Sequence, residues 1–263
     1  MRPPTLATPG TLYVVGTPIG NLEDITYRAI AILKSVTVIA AEDTRHTRTL
    51  LSAYDIHTPL TSYHDFNKEE KAPVLIARMA EGASVALVCD AGTPTLSDPG
   101  YFLIKEAHRA GRTVCPIPGP AAAIAALSVS GLPTDRFAFD GFLPRKSGGR
   151  RKRLESLKSE PRTLIFYESP YRILALLEEI RVVMGEREIV VGREMTKLHE
   201  EIMRGSIADV ICRFEKKKPK GEITLVVTGY GKETAGTIVW EGETREEEAA
   251  EEFGVGAVGI EPT

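Results

Sequence analysis

Short apolar runs alternate with amphipathic stretches along most of this chain. TLYVVG (11–16) is a continuous apolar run that stops at a glycine, the pattern of a buried strand. ITYRAIAILKSV (25–36) spaces its apolar residues for one helical face, and VTVIAAED (36–43) returns to strand character. Residues 45–53 read as helix, TPLTSYHD (58–65) as a short strand, 67–81 as helix and SVALVCD (84–90) as strand. A helix over 101–110, closed by Gly111, and a strand over TVCPIP (113–118) complete a first series.

PGPAAAIAALSVSGLP (118–133) then predicts a helix that begins after Pro120 and stops at Gly131, with Pro and Gly in the order helix ends prefer. A second series follows: FAFDGFL, RTLIFYES, a helix from Tyr171 to Met184, EIVVGRE, a helix near 206–215, and EITLVVTG. Strands alternating with helices predict an α/β fold with parallel sheets. The two series divide into α/β domains over 11–120 and 121–231, leaving 232–263 as a poorly ordered acidic tail. GVGAVG (254–259) matches a dinucleotide fingerprint in letters alone, because an acidic segment rather than a strand precedes it.

Composition changes this picture little. Hydrophobic content of 43% and charged content of 26% are ordinary globular values, and the net charge of −3 leaves nucleic-acid binding to a local patch. Cys89, Cys115 and Cys212 stand singly, with neither disulfide nor metal spacing, which suits a reducing cytoplasm. The first ten residues lack the apolar segment of a signal peptide and no run is long enough for a bilayer, so a soluble protein is expected. One segment does depart from the mean: PRKSGGRRKRLESLK (144–158) sets seven basic residues against one acid, and Gly148-Gly149 predict a mobile loop leading into a helix.

In open α/β sheets ligands sit outside the carboxyl ends of the strands. Four post-strand loops are rich in Gly, Pro, Thr and Asp: GTPIGNLEDIT (16–26), AEDTRHTR (41–48), CDAGTPTLSDPG (89–100) and PIPGPAA (116–122). Together they predict a composite ligand site. No Walker run is present, and Asp90 and Asp98 would repel an unaided polyphosphate. No third clustered ligand accompanies these acids, so no metal is assigned. A cationic, phosphate-free ligand such as S-adenosylmethionine fits them better.

GTPIGNLEDIT, AEDTRHTRTLL, CDAGTPTLSDPGY, PGP with its Ala-rich helix, SGLPTDRFAFDGFLPRK, IFYESPYR, GREMTKLHEE and KGEITLVV follow one another from about Thr11 to Gly229. In that order they resemble the RsmI family of ribosomal RNA small subunit methyltransferases, within the tetrapyrrole methylase-like superfamily. The resemblance implies a class III methyltransferase: two α/β domains with S-adenosylmethionine in the cleft between them. It implies a cytoplasmic homodimer that methylates a cytidine ribose 2′-hydroxyl in the decoding region of 16S rRNA, within the 30S subunit. It places the cofactor against Pro18, Asp90, Ala91, Gly92, Thr93, Ser97, Asp98, Pro99, Pro120 and Ala121, and against Tyr167, Glu168 and Glu222 of the second domain. The chain departs from the family pattern in PGPAA, which lacks a serine hydroxyl at Ala121, in Tyr171 where a histidine is common, and in its acidic end.

Methyl transfer from a sulfonium to a hydroxyl leaves a protein two tasks, alignment and removal of a proton. The candidate bases are Asp43, His46, His64 and Glu168; Asp43 equally fits a helix cap, and His64 a structural histidine. RNA contacts are expected at Arg45, Arg145, Lys146, Arg150, Arg151, Lys152 and Arg153. Two other readings share the fold: a tetrapyrrole (uroporphyrinogen or precorrin) C-methyltransferase, and a non-catalytic RNA-binding assembly factor.

Overall fold

Five strands line up in parallel through the first half of the chain. In the computed structural model, which describes residues 6–98 and 100–231, these are β1 (Thr11–Val15), β2 (Val38–Ala41), β3 (Leu60–Ser62), β4 (Val85–Val88) and β5 (Thr113–Ile117). They pair in the order β3-β2-β4-β1-β5, every pair parallel. The crossovers are α1 (Tyr27–Ser35), α2 (Thr44–Ala53), α3 (Lys68–Ala80) and α4 (Tyr101–Arg109). Helices cover both faces, so β2 and β4 are buried throughout, and Ile32, Leu33 and Ile39 fill one face while Leu75, Met79 and Leu103 fill the other. Side chains set the helix starts: Thr26 accepts the Ala29 N–H at 3.1 Å and Asp43 accepts the Arg45 N–H at 2.8 Å.

The second half holds α5 (Ala122–Val129), β6 (Phe137–Phe142), α6 (Ser147–Leu157), β7 (Thr163–Glu168), α7 (Ile173–Met184), β8 (Glu188–Arg193), β9 (Glu201–Ser206), α8 (Ile207–Lys216) and β10 (Ile223–Val227). Its sheet runs β6-β7-β10-β8-β9, and only β6 and β7 are parallel. The parallel expectation therefore holds for the first sheet alone. The second is mixed because β8 turns straight back into β9, and β10 inserts antiparallel between β7 and β8. Strand β9 carries no sequence signal, since it is an edge strand in which Met203 alone is buried.

Helix α5 packs Ala123, Ala126 and Leu127 on one face of this sheet, against Ile165, Val190 and Val226. The other face is covered by α6, α7 and α8. In α8, Ile207, Val210, Ile211 and Phe214 fall at i, i+3, i+4 and i+7, and burying each contributes about 1.5–3 kcal/mol.

The mobile loop expected at Gly148-Gly149 is instead the first turn of α6. The reason lies across the packing interface. Arg150 donates to both carboxylate oxygens of Glu179 on α7, at 2.7 and 2.8 Å, and the Ser147 hydroxyl donates to the same carboxylate at 2.7 Å. Two anchors one turn apart fix a segment whose glycines alone would leave it loose. No described helix is long and apolar enough to cross a membrane.

Candidate functional site

Bare backbone brings the first loops together. A Cβ on Gly16 would stand 2.8 Å from the Gly119 Cα, so the end of β1 and the Pro-Gly-Pro segment after β5 touch main chain to main chain. Thr17 and Gly92 exchange both backbone hydrogen bonds, N–H to carbonyl, at 2.8 and 3.1 Å. The Thr93 hydroxyl donates to the Pro120 carbonyl at 3.0 Å, and the Asp43 N–H donates to Asp90 Oδ1 at 3.0 Å. The four polar loops singled out in the sequence are thus stitched into one surface. One bond reaches the other half, Asn21 N–H to Thr196 Oγ1 at 3.1 Å; within that half, Ala123 N–H donates to the Tyr167 hydroxyl at 3.1 Å.

Between the halves lies a cavity of about 580 Å³. Asp90, Ala91, Gly92, Thr93, Ser97, Asp98 and Ala121 line one side of it, and Tyr167, Glu168 and Glu222 the other. Two expected contacts are not on the wall: Pro18 is replaced there by its neighbour Ile19, and Pro120 turns its carbonyl to Thr93. Pro99 lies outside the described residues. The 89–100 loop is strained, with Thr95 at φ 78° and Ser97 at φ 71° beside Gly92 at φ 84°.

Electrostatically the loop end is an acidic pole. Burial, then the neighbouring Asp90, Asp98 and Asp65, push Glu42 up from 4.5 to about 7. Burial raises Asp98 from its ordinary value, with the Asp90 charge adding to it. Cys89 is buried, its thiol pushed up by desolvation and hydrogen-bonded to the Ala91 carbonyl at 3.3 Å, so it packs rather than reacts.

The candidate bases separate. Asp43 caps α2 and binds the Arg45 guanidinium at 2.7 and 3.2 Å, which holds its carboxyl far below the ordinary range. His46 is exposed on α2, and His64 Nε2 meets the Asn67 side-chain amide at 3.3 Å; neither lines the cavity. Glu168 does reach the wall. Its side chain, however, is fully buried, accepting the Ser169 N–H at 2.8 Å and facing Arg172 Nη2 at 3.0 Å. This geometry makes Glu168 a holder of its own turn rather than a free base.

The basic segment also divides. Arg145, Lys146, Arg151 and Lys152 are exposed, with no ion pair among the described residues. Arg150, expected on RNA, is corrected: its side chain is 7% exposed and committed to Glu179. Arg153 is half exposed and paired with Asp140. Arg45, also expected on RNA, is exposed and pairs with Asp43.

Sequence reasoning missed Phe142, Tyr171, Gly192, Met195 and Gly221 on the wall. Gly192 and Gly221 belong to the GRE and KGE motifs, and Gly221 sits at φ 83°, a signal present in the sequence but unassigned. KGE opens a strand instead of closing one. It reaches the site because β10 is antiparallel, pairing Ile223 with Glu168 and Arg193 at the strands' far ends.

A family model described as Tetrapyrrole (Corrin/Porphyrin) Methylases matches residues 11–211. A protein of Escherichia coli O157:H7 named Ribosomal RNA small subunit methyltransferase I is 50% identical over 224 residues, covering 84% of this chain and 78% of that one. One of the same name from Thermotoga maritima is 50% identical over 220 residues, covering 84% and 99%. The chain belongs to the ribosomal RNA small subunit methyltransferase I family, within the tetrapyrrole methylases.

Solved structures agree on the fold. Uroporphyrin-III-C-methyltransferase from Thermus thermophilus superposes with a TM-score of 0.58 at 24% identity, covering 83% of this chain and 94% of that one. A cobalt precorrin-4 methyltransferase gives 0.61 at 16% identity, covering 83% and 95%. The family's methyl donor is S-adenosylmethionine. The cavity of this ribosomal RNA small subunit methyltransferase I relative fits that molecule: its volume suits a nucleoside-sized ligand, acids at one pole suit a sulfonium and an ammonium, and Ile19, Leu96 and Met195 give apolar wall.

Proposed function

We propose that this protein transfers a methyl group from S-adenosylmethionine to the ribose 2′-hydroxyl of a cytidine in 16S rRNA, acting on the 30S subunit as a cytoplasmic homodimer. The observation that carries the reading is the 50% identity to relatives named for the small-subunit ribosomal RNA, over 84% of the chain. The tetrapyrrole enzymes share the fold at 24% identity or less, which leaves the substrate to the site itself.

Asp90, Asp98 and the 91–93 backbone would hold the cofactor, whose sulfonium supplies an activated methyl group. Asp90 is oriented by the Asp43 N–H, and the Thr17–Gly92 bridge fixes the position of Gly92 on the cavity wall. The strained loop and the Gly16–Gly119 contact fix these groups before a ligand arrives, so alignment carries much of the rate. Exposed Arg145, Lys146, Arg151 and Lys152 supply the backbone-binding charge that the net charge of −3 conceals.

The test is transfer of labelled methyl to 30S subunits from cells lacking the enzyme and, separately, to naked 16S rRNA. Label on the ribose of one cytidine supports the reading. A protein that binds S-adenosylmethionine and labels neither substrate overturns it.

A further inference from the structure

Two aromatic side chains on the cavity wall are exposed. Tyr171 is 96% exposed and Phe142 is 58% exposed, yet both line the cavity. The fold positions them deliberately. Strand β6 shifts register between Phe139 and Gly141, with Gly141 at φ 60°, and the bulge turns the next residue, Phe142, onto the cavity wall. There its ring lies 5.6 Å from that of Tyr167, itself 5.0 Å from Phe139. Tyr171 sits in the turn between β7 and α7. The residue after it, Arg172, donates to the carbonyl of Leu143, the residue after Phe142, at 3.0 Å. The buried Glu168 faces the same guanidinium at 3.0 Å. The two aromatic positions are therefore tied to each other through their next neighbours.

We infer that Phe142 and Tyr171 seat one unstacked base of the RNA substrate at the mouth of the cavity. The inference rests on the RNA reading above and deepens it. A ribose hydroxyl cannot reach a cavity of about 580 Å³ while its base stays stacked in a helix, so the nucleotide must turn out and replace its lost stacking. Aromatic faces do this for any base. Charge indicates the occupant: Arg145 and Lys146, without an ion pair among the described residues, follow Phe142 within four residues, and Arg151 and Lys152 lie on the next helix, where flanking phosphates would run. The cavity acids that suit the cofactor, Asp90 and Asp98, lie on the loop after β4.

The experiment measures binding of a fluorescent single-stranded pyrimidine oligoribonucleotide to the full-length protein with S-adenosylhomocysteine present, across a salt series. Phe142→Ala and Tyr171→Ala should each weaken binding about five- to hundredfold, while Tyr171→Phe stays near wild type. The slope of affinity against salt should not change, because stacking neutralises no phosphate. Calorimetry should show unchanged S-adenosylmethionine affinity, and melting temperatures should match wild type. Alanine variants within twofold of wild type on RNA overturn the seat. So does an equal loss of cofactor affinity, which would assign the aromatics to the cofactor, or a changed salt slope. A wild type that binds this RNA through both aromatics but labels no 30S subunit would sink the methylation reading and leave the seat standing. A wild type that binds no RNA sinks both.

Discussion

The Asp43 N–H donates to Asp90 Oδ1 at 3.0 Å, so the loop after β2 orients the acid that opens the loop after β4. A capping residue and a cavity acid are thereby one device. Asp90→Asn keeps a carbonyl oxygen for this bond and loses the charge. It should leave stability within about 1 kcal/mol of wild type while weakening S-adenosylmethionine about tenfold. Asp90→Ala loses both and should cost about 1.5–3 kcal/mol in urea unfolding as well. Equal unfolding curves for the two variants would show that the Asp43 contact contributes nothing.

Glu42 gives a pH signature. Folded, it keeps its proton to about pH 7, against an ordinary 4.5. Between those values the folded state binds more protons than the unfolded one, so stability falls as pH rises through this window. Glu42→Gln should flatten the stability profile between pH 4.5 and 7 and be the more stable protein at pH 8. A profile that keeps its full slope in the variant would place the titration elsewhere.

Two glycines should respond in opposite directions. A Cβ on Gly119 would lie 2.9 Å from the Gly16 Cα, backbone against backbone, so Gly119→Ala should cost about 1–3 kcal/mol and lower cofactor affinity by moving Ala121. Gly148 has open space and lies within α6, so Gly148→Ala should gain about 0.5–1 kcal/mol. Thermal melts of the pair decide both. A neutral Gly148→Ala would return that segment to a loop.

The basic segment should split along its ion pairs. Arg150→Ala leaves Glu179 without its partner and should cost about 3 kcal/mol, with the salt dependence of RNA binding unchanged. Arg151→Ala and Lys152→Ala should leave stability alone and each lower the salt slope by about one. A reversed pattern would show Arg150 reaching phosphate.

Much of this was legible in the amino-acid order. Apolar period placed the five strands of the first sheet and the helices between them, because each buries its own local pattern against a neighbouring layer. The DAGTP segment announced a cavity wall by residue type alone, since Gly and Pro make stiff, bare loops. The acids at 90 and 98 pointed to a cation before any fold was known.

Tertiary structure alone decided the rest, because it turns on partners distant in sequence. Arg150 and Arg151 are identical neighbours in the chain. Glu179, 29 residues away, buries the first and leaves the second to solvent. Glu222 reaches the site only because β10 runs antiparallel, and Phe142 faces the cavity only because β6 bulges beside it. Local sequence sets which residues are apolar, charged or flexible. Which of them meet is set by strand direction and by packing across elements, and no short window of residues contains that information.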